Sequence, residues 1–288
     1  MWARVYGPDG YYDNGNGVGK DFDTYANLND DLAIRLAQWL DNEWDRHGQP
    51  DTFPVYEYAA GDGTLCRKIL AQEMRCYDTL RYTAVESNPL YGDKFPAGVT
   101  VTQQLEEPPT FGVIFANELL GAIPIRFVGF RDGGWQELYV RVDKTTQASY
   151  KWRQFDGQPT PSMIEAAEEG RSMPYMEQPC ALLRNISSQL TGTLLTIDYG
   201  KVTTKELYGT PWFRCYRGYR PAPALKLDWL VDMTYDIAVD QISDLFTAPT
   251  SIATQPEWVG KSDHDSAFKV LEWRLQNGKR DFGNNTNV

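Results

Sequence analysis

The stretch Glu57-Tyr58-Ala59-Ala60-Gly61-Asp62-Gly63-Thr64-Leu65 decides the fold class of this chain. It follows the apolar run 53–56, which predicts a short buried strand, and it precedes residues 66–70, which predict a helix. A strand ending in an acid, a loop with two glycines and then a helix is the layout of a nucleotide-type cofactor site. Glycine lets a ligand approach the backbone, and a helix start offers free N–H groups. A ligand-free strand-to-helix turn has the same local pattern, so the loop alone leaves both interpretations open.

A second acid favours the cofactor interpretation. Residues 81–86 predict another strand, about one βα unit downstream, which ends at Glu86. A carboxylate there accepts hydrogen bonds from the two hydroxyls of a ribose. Cys66 stands where a dinucleotide fingerprint has its third glycine, and S-adenosylmethionine, which has no pyrophosphate, does not need that glycine. The pattern therefore favours S-adenosylmethionine over NAD or FAD, with a solvated strand-end carboxylate as the alternative for Glu86.

The order of elements predicts an α/β protein with a doubly wound, mostly parallel sheet. Apolar positions at helical spacing predict a helix over residues 29–44. Further apolar runs predict strands at 99–102, 111–116 and 193–200.

The region between these strands changes character. Alternation around Asp132-Gly133-Gly134 predicts a β-meander over 126–155. A helical stretch follows over 161–190, with Gly170 and Pro174 as the places where it can break. We predict a single domain, residues 1–288, in which residues 126–190 form a lid or substrate subdomain.

Composition restricts the partners. The formal net charge of −11 argues against nucleic acid, whose phosphates need clustered Lys and Arg. No run is long enough to cross a bilayer, and the N-terminus has no leader character, so we predict a cytoplasmic protein without a membrane partner. The four cysteines show neither metal-ligand nor disulfide spacing, and only two histidines, His47 and His264, are present. We predict reduced thiols and no metal site.

The predicted cofactor residues follow the carboxyl ends of the parallel strands, where ligands lie in such sheets. The glycine loop would hold the methionine portion, Glu86 the ribose, and Gln103 or Gln104 the adenine amine. The complete predicted set is Glu57, Ala59, Gly61, Gly63, Glu86, Ser87, Gln104 and Asn117.

The predicted catalytic residues are Asn117 and Glu118, which follow the strand 111–116. Methyl transfer from a sulfonium is an in-line displacement, so the protein mainly aligns the nucleophile and handles its proton. A carboxylate can bind a guanidinium in a fork and bias which nitrogen carries the lone pair. The alternative is that the two residues only cap the following helix.

Several short motifs occur in one order along nearly the whole chain. They are Tyr6-Gly7-Pro8-Asp9-Gly10-Tyr11-Tyr12, Gly19-Lys20-Asp21-Phe22-Asp23-Thr24, the loop 57–65, Asn117-Glu118-Leu119-Leu120, Asp198-Tyr199-Gly200, Tyr216-Arg217-Gly218-Tyr219, Asp232-Met233-Thr234 and Thr254-Gln255. Together they resemble the motifs of the MidA-like methyltransferases, in which the Asn-Glu-Leu-Leu motif is the most diagnostic.

The resemblance implies a class I (Rossmann-like) methyltransferase fold with a seven-stranded sheet, S-adenosyl-L-methionine as cofactor and a guanidine nitrogen as acceptor. It implies that the N-terminal segment 1–28 folds over the cofactor. From it we predict that Tyr11, Tyr12, Phe22, Asp198 and Tyr199 bind the substrate. The expected partner is a small molecule, peptide or protein that carries a guanidine or amine, and a homodimer is allowed.

Departures from the family pattern cluster on the acceptor side. Gly121 replaces an aspartate of the diagnostic motif, and Asp236 and Ala238 stand where a histidine and an aspartate or asparagine are more usual. The cofactor inference therefore carries over better than the substrate inference. Three other functions stay open: a non-catalytic assembly protein that keeps the fold, an O-methyltransferase of a small metabolite and, least favoured, a nicotinamide oxidoreductase.

Overall fold

The structure is a computed structural model that describes residues 10–12, 24–142, 148–224, 230–261 and 266–280. The chain divides into two compact units. Of the described residues, the sheet unit contains 24–119, 182–197, 249–261 and 266–280, and the meander unit contains 10–12, 120–142, 148–181, 198–224 and 230–248. This grouping differs from the predicted insertion at 126–190, because the meander unit also takes in residues 198–248.

The elements below are given in chain order for the described residues. The helices are α1 (Tyr25–Leu28), α2 (Asp31–Arg46), α3 (Thr64–Leu70), α4 (Pro161–Glu165), α5 (Glu177–Ser187), α6 (Val239–Leu245) and α7 (Gln255–Trp258). The strands are β1 (Phe53–Tyr58), β2 (Leu80–Val85), β3 (Thr100–Thr102), β4 (Phe111–Asn117), β5 (Arg126–Arg131), β6 (Gly134–Val142), β7 (Ala148–Gln154), β8 (Ser172–Tyr175), β9 (Thr191–Lys201), β10 (Phe213–Arg217), β11 (Arg220–Pro221), β12 (Asp232–Tyr235), β13 (Ile237–Ala238), β14 (Ser251–Thr254), β15 (Phe268–Gln276) and β16 (Lys279–Arg280). Short 3-10 turns cover Tyr77–Thr79, Pro89–Lys94, Leu120–Ala122 and Thr204–Gly209.

The sheet unit is built on a sheet with the strand order β14-β15-β9-β4-β1-β2-β3. The pairs β1–β2, β1–β4, β2–β3 and β4–β9 are parallel, as predicted from their apolar runs. The end of β15 returns to the start of β9, since the N–H of Gly278 bonds to the carbonyl of Leu190 at 2.9 Å. β15 therefore runs antiparallel to β9.

Helix α2 covers the sheet through an apolar face. Leu36, Trp39 and Leu40 recur at helical spacing and are buried against the β1 and β4 side chains Val55 and Phe115. The helix has the length of the predicted span 29–44 but lies two residues further along the chain, from Asp31 to Arg46. Because the strands beneath it are apolar on both faces, they form a rigid base for the loops at their carboxyl ends.

The meander unit contains the four-stranded antiparallel sheet β7-β6-β5-β8 and the small sheet β11-β10-β12. Val128, Met163 and Met173 lie in the core of the unit. The meander β5–β7 was predicted. The helical stretch 161–190 is interrupted near the predicted places, Gly170 and Pro174, but the strand β8 that stands there and pairs antiparallel with β5 was not predicted. This edge strand contains Pro174, and its pairing with a distant strand overrides local propensity.

Strand β9 belongs to both units: residues 191–197 lie in the sheet unit, and residues 198–201 lie in the meander unit, where Gly200 pairs with Ile237 of β13. Among the described residues no helix is long and apolar enough to span a membrane. Of the predicted segment 1–28, only residues 10–12 and 24–28 are described, so Phe22 lies outside the described residues.

Candidate cofactor and acceptor site

Glu57 is a buried acid within β1. Its side chain is only 3% exposed and accepts a hydrogen bond of 2.7 Å from the hydroxyl of Tyr82 on β2. Burial raises the pKa of Glu57 to about 8, against the opposing effect of the Tyr82 bond. The sequence placed Glu57 at the strand end, but β1 continues to Tyr58, which pairs with both Val85 and Ala116. Glu57 therefore lies within the buried strand that precedes the glycine loop, and not in the loop itself.

The loop after β1 is held by the end of β2. The carbonyl of Val85 accepts the N–H of Ala59 at 2.9 Å. One carboxylate oxygen of Glu86 accepts the N–H of Gly61 at 2.8 Å, and the other accepts the N–H of Asn88 at 2.8 Å. The structure thus brings together the two predicted cofactor segments, the glycine loop and the acid after β2.

The two loop glycines serve different purposes. Gly61 has φ +57°, and a Cβ there would meet nothing within 4 Å, so space lies open beside the backbone. Gly63 has φ +73°, and a Cβ there would lie 2.9 Å from the ring of Phe95. A left-handed backbone favours glycine at both positions. Gly61 therefore leaves room for a ligand, whereas Gly63 leaves room for the protein itself.

Arg67 on α3 also organises this loop, although the sequence did not single it out. Its guanidinium donates to the carbonyls of Asp62 at 2.8 Å and Lys94 at 2.7 Å, and to the hydroxyl of Thr64 at 2.8 Å. An arginine within the short helix that follows a glycine loop was the available signal.

The charge around the loop is negative. Glu86 and Asp62 both act on the buried Glu57 and contribute to its raised pKa. A cationic sulfonium and ammonium are attracted to such a group of carboxylates, whereas the pyrophosphate of a dinucleotide is repelled. The open space at Gly61 and these carboxylates fit S-adenosyl-L-methionine.

Asn117 and Glu118 lie at the carboxyl end of β4, in the same sheet unit. The N–H of Glu118 bonds to the carbonyl of Ile197 at 2.7 Å, and the residue is held at φ +55°. The Asn117 amide donates to Oε1 of Glu118 at 3.3 Å, while its own Oδ1 is buried without a hydrogen-bond partner among the described residues. A buried acceptor without a donor and a strained non-glycine residue, side by side, are features of functional sites.

The next element after this pair is only the 3-10 turn Leu120–Ala122. The capping alternative expected a helix there, so Asn117 and Glu118 have no α-helix to cap. The remaining predicted cofactor residues are exposed: Ser87 follows Glu86, and Gln104 follows β3, with its carbonyl accepting the hydroxyl of Thr102 at 2.6 Å.

The four predicted substrate residues that the structure describes, Tyr11, Tyr12, Asp198 and Tyr199, belong to the meander unit. Tyr11 is fully buried and packs edge-to-face on Tyr12 at 5.0 Å, and the Tyr12 hydroxyl donates to Asp232 at 3.2 Å. These aromatics are therefore part of a folded unit.

Asp198 is 1% exposed, and its two carboxylate oxygens accept the N–H groups of Gly121 at 2.9 Å and Tyr199 at 2.8 Å. Burial raises the pKa of Asp198 to about 7, and the charge of Asp236 acts in the same direction. A Cβ at Gly121 would lie 2.8 Å from Asp198 Oδ1. A side chain at position 121, such as the aspartate of the family motif, would therefore clash with Asp198. Instead, the Asp198 carboxylate holds the backbone N–H of Gly121.

Tyr199 has a cationic neighbour in the same unit. The guanidinium carbon of Arg214 lies 5.3 Å from the centre of the Tyr199 ring. A guanidinium nitrogen of Arg214 also lies 2.7 Å from Oδ1 of Asp236. Asp236 is one of the positions that depart from the family pattern.

The architecture is that of a class I methyltransferase. A crystal structure from Burkholderia thailandensis, described as a "likely methyl transferase" bound to S-adenosyl-homocysteine, superposes with a TM-score of 0.78 at 20% identity. The alignment covers 97% of this chain and 87% of that one. This likeness confirms the predicted fold.

A family profile described as "Putative S-adenosyl-L-methionine-dependent methyltransferase" matches residues 35–256. The chain therefore belongs to this family of S-adenosyl-L-methionine-dependent methyltransferases. The predicted enzyme class, the cofactor and the MidA-like assignment are confirmed.

Two curated relatives carry a more specific name. The chain is 24% identical over 269 residues to "Protein arginine methyltransferase NDUFAF7 homolog, mitochondrial" of Drosophila melanogaster, covering 79% of this chain and 61% of the relative. It is 24% identical over 268 residues to "Protein arginine methyltransferase NDUFAF7, mitochondrial" of Danio rerio, covering 79% and 62%. The aligned part thus spans about three fifths of each relative. The prediction of a cytoplasmic location is wrong by this comparison, because these relatives are named as mitochondrial proteins.

Proposed function

We propose that this chain methylates a guanidine nitrogen of an arginine carried by a small molecule, a peptide or a protein. The observation that carries the proposal is the pair at the end of β4. The Oδ1 of Asn117 is buried without a partner among the described residues, and Glu118 is held in a left-handed backbone conformation. Strain of this kind costs about 1–3 kcal/mol, so a carboxylate kept there has a use beyond folding. The arginine named in the relatives supports the same acceptor.

When bound, S-adenosyl-L-methionine supplies an electrophilic methyl group on a cationic sulfur. Gly61 leaves space for the cofactor beside the loop, and Glu86 offers carboxylate lone pairs to ribose hydroxyls. The other residues proposed for the cofactor are Glu57, Ala59, Gly63, Ser87, Gln104 and Asn117. The negative charge of the loop selects the cationic cofactor.

Glu118 acts on the acceptor in this proposal. A carboxylate binds two N–H groups of a guanidinium and holds its plane, which orients the nitrogen that reacts. The Glu118 carboxylate also accepts the proton that the methylated nitrogen loses. Asn117, hydrogen-bonded to Glu118 at 3.3 Å, positions that carboxylate.

Tyr11, Tyr12 and Tyr199 are proposed to line the acceptor side, and Phe22 belongs to the same proposal from the sequence. Asp198 is proposed as a positioning residue, because both of its oxygens already accept backbone N–H groups.

The test starts with calorimetric titration of the full chain with S-adenosyl-homocysteine, with NADH as the control ligand. Transfer of labelled methyl from S-adenosyl-L-methionine is then measured to an arginine-containing peptide and to the same peptide with lysine. We expect binding of S-adenosyl-homocysteine alone, and transfer to the arginine peptide alone.

The variant Glu118→Gln should lower turnover by about 100-fold, the usual effect of losing a proton acceptor, while S-adenosyl-homocysteine binds nearly as before. Glu106→Gln, at an exposed acid after β3, is the matched control and should change neither. Equal loss of binding and turnover in Glu118→Gln would assign Glu118 to the cofactor or to folding. Binding of the cofactor product without transfer to arginine would contradict the guanidine acceptor.

A further inference from the structure

A polar pocket of about 260 Å³ lies in the sheet unit, at the edge of the sheet opposite to the glycine loop. It is formed where α2 ends, β9 begins and β15 ends. The residues of its wall that bear on ligand binding are Arg46, His47, Thr193, Arg274 and Leu275. The glycine loop and Glu118 follow the carboxyl ends of parallel strands, whereas this pocket borders the start of β9. It is therefore separate from the site proposed for methyl transfer.

The pocket has an excess of positive charge. Two arginines, Arg46 and Arg274, line it, and no acid does among the described residues. Behind the wall, the Nη1 of Arg46 lies 2.8 Å from Oε1 of the fully buried Glu43. Burial raises the pKa of Glu43 and so disfavours the charged form that would compensate Arg46. An anion is therefore attracted to the pocket.

Arg274 has donors to spare. Its side chain is 46% exposed, and its Nε lies 3.5 Å from Oε1 of Glu272. Within the part of the chain that the structure describes, no acceptor receives an aligned hydrogen bond from this guanidinium. The terminal nitrogens of a guanidinium form a planar fork that matches the two oxygens of a carboxylate. Arg274 is thus able to bind a carboxylate without giving up an existing hydrogen bond.

His47 contributes a buried atom that lacks a partner. Its Nε2 has no hydrogen-bond partner among the described residues, since Oε2 of Glu43 is 3.9 Å away. The ring is fixed edge-to-face against Phe111 at 5.2 Å. Burial lowers the pKa of His47, so the imidazole is neutral at neutral pH and one of its nitrogens carries a proton. A ligand oxygen that accepts a hydrogen bond from Nε2 would satisfy this atom.

The size of the pocket and its other wall residues restrict the ligand. Its volume of about 260 Å³ is below the range of about 300–1,000 Å³ that is usual for drug-sized ligands. Leu275 offers an apolar contact for a short carbon chain. The Thr193 hydroxyl already donates to Oε2 of Glu43 at 2.5 Å, so that donor is not available to a ligand.

We propose that this pocket binds a small monocarboxylate. Its oxygens bond to the fork of Arg274 and to the Nε2–H of His47, Arg46 balances its charge, and Leu275 contacts its carbon chain. One negative charge suits the site better than two, because Glu43 and Glu272 lie behind the two arginines and repel a dianion. This binding requires no methyl transfer and does not depend on the proposed function.

The test is a titration of the full chain with sodium butyrate, followed by proton–nitrogen NMR of labelled histidine side chains. The chain has two histidines, His47 and His264, so the His47 signal is assigned by its loss in His47→Gln. We expect a saturable shift of this signal, with a dissociation constant in the millimolar range or below. Sodium chloride at the same ionic strength should leave the signal in place.

Arg274→Gln should weaken butyrate binding by about tenfold or more, because the fork is lost. Arg81→Gln is the matched control. Arg81 is an exposed arginine on β2 of the same unit, its guanidinium bonds to the carbonyl of Leu80 at 2.8 Å, and its loss should not change the affinity. Inorganic phosphate should bind to the wild-type chain about tenfold more weakly than butyrate.

The absence of a saturable His47 shift would mean that only water fills the pocket, and would overturn the proposal. Equal butyrate affinity in the wild type and in Arg274→Gln would overturn it too. Phosphate that binds as tightly as butyrate would contradict the assignment to a monocarboxylate. If Arg274→Gln fails to fold, Arg274→Lys keeps the charge and loses the fork. It should weaken binding by a smaller factor, and an unchanged affinity would be equally contrary.

Discussion

The hydroxyl of Tyr82 on β2 donates to Oε2 of Glu57 on β1 at 2.7 Å. Tyr82 is the register partner of Val55, so the bond runs diagonally across one face of two parallel strands. It ties a buried acid to the base of the glycine loop, where burial raises the pKa of Glu57 to about 8. The carboxyl is therefore mostly protonated at neutral pH in the absence of a ligand.

Glu57 should make folding stability depend on pH. Between its ordinary pKa of 4.5 and its folded value of about 8, the native state holds more protons than the unfolded chain. The contribution of Glu57 to the free energy of unfolding should consequently be fully present below pH 4.5 and should be lost as the pH rises through about 8. Glu57→Gln should flatten this decline in denaturant titrations run across the range. Asp198, with a pKa of about 7, should leave a residual slope of the same sign. Glu106→Gln should keep the full wild-type slope, and an unchanged slope in Glu57→Gln would speak against the buried proton.

Tyr82→Phe should destabilise the sheet unit by about 1–3 kcal/mol, because the buried Glu57 loses its donor. The pKa of Glu57 should rise further, since the Tyr82 bond favours the ionised form. Carbon NMR titration of labelled glutamate side chains measures that pKa. Tyr77→Phe, at an exposed tyrosine, serves as the control. A fall in the Glu57 pKa would show that the bond favours the neutral acid.

Gly61→Ala should weaken binding of S-adenosyl-homocysteine by about tenfold or more, with only a modest loss of stability. The added methyl meets no protein atom within 4 Å, so it enters the space left for the ligand. Gly98→Ala is matched, because Gly98 also has a positive φ, +89°, and open space. Calorimetry and thermal unfolding of both variants give the comparison. Equal affinities in the two variants would place the ligand away from Gly61.

Gly121→Ala should lower the free energy of unfolding by about 1–3 kcal/mol, as overpacking does. Its Cβ would lie 2.8 Å from Asp198 Oδ1 and 2.9 Å from the carbonyl oxygen of Tyr235. Gly121→Asp, which restores the family residue, should cost more, because it presses a second carboxylate against Asp198. Gly209→Ala, with nothing within 4 Å of its Cβ, should be nearly neutral in the same denaturant titrations. A fully stable Gly121→Asp would show that this corner rearranges.

The sequence predicts those parts of the molecule that depend on local pattern. β4 is apolar from Phe111 to Ala116, and β9 is buried over most of its length, as is typical of strands covered on both faces. The acids and glycines at strand ends could be placed because parallel strands end at one edge. In contrast, β8 was missed because its strand conformation comes from pairing with β5, a partner more than forty residues away in the chain.

Contacts between distant residues were beyond the sequence. Glu57 is buried because β1 continues past it to Tyr58, which pairs with both neighbouring strands. A side chain at position 121 would clash with Asp198 and with the carbonyl of Tyr235. Both residues are distant in the chain, so no local sequence pattern explains why position 121 is glycine.

The left-handed backbone at Glu118 has a consequence for mutational scanning. Glycine relieves the strain at φ +55°, so a library of variants at this position that is sorted only for heat resistance should be enriched in glycine. The same library sorted for methylated product should instead retain glutamate. If the first screen enriches glycine and the second enriches glutamate, Glu118 is retained for catalysis at a cost in stability.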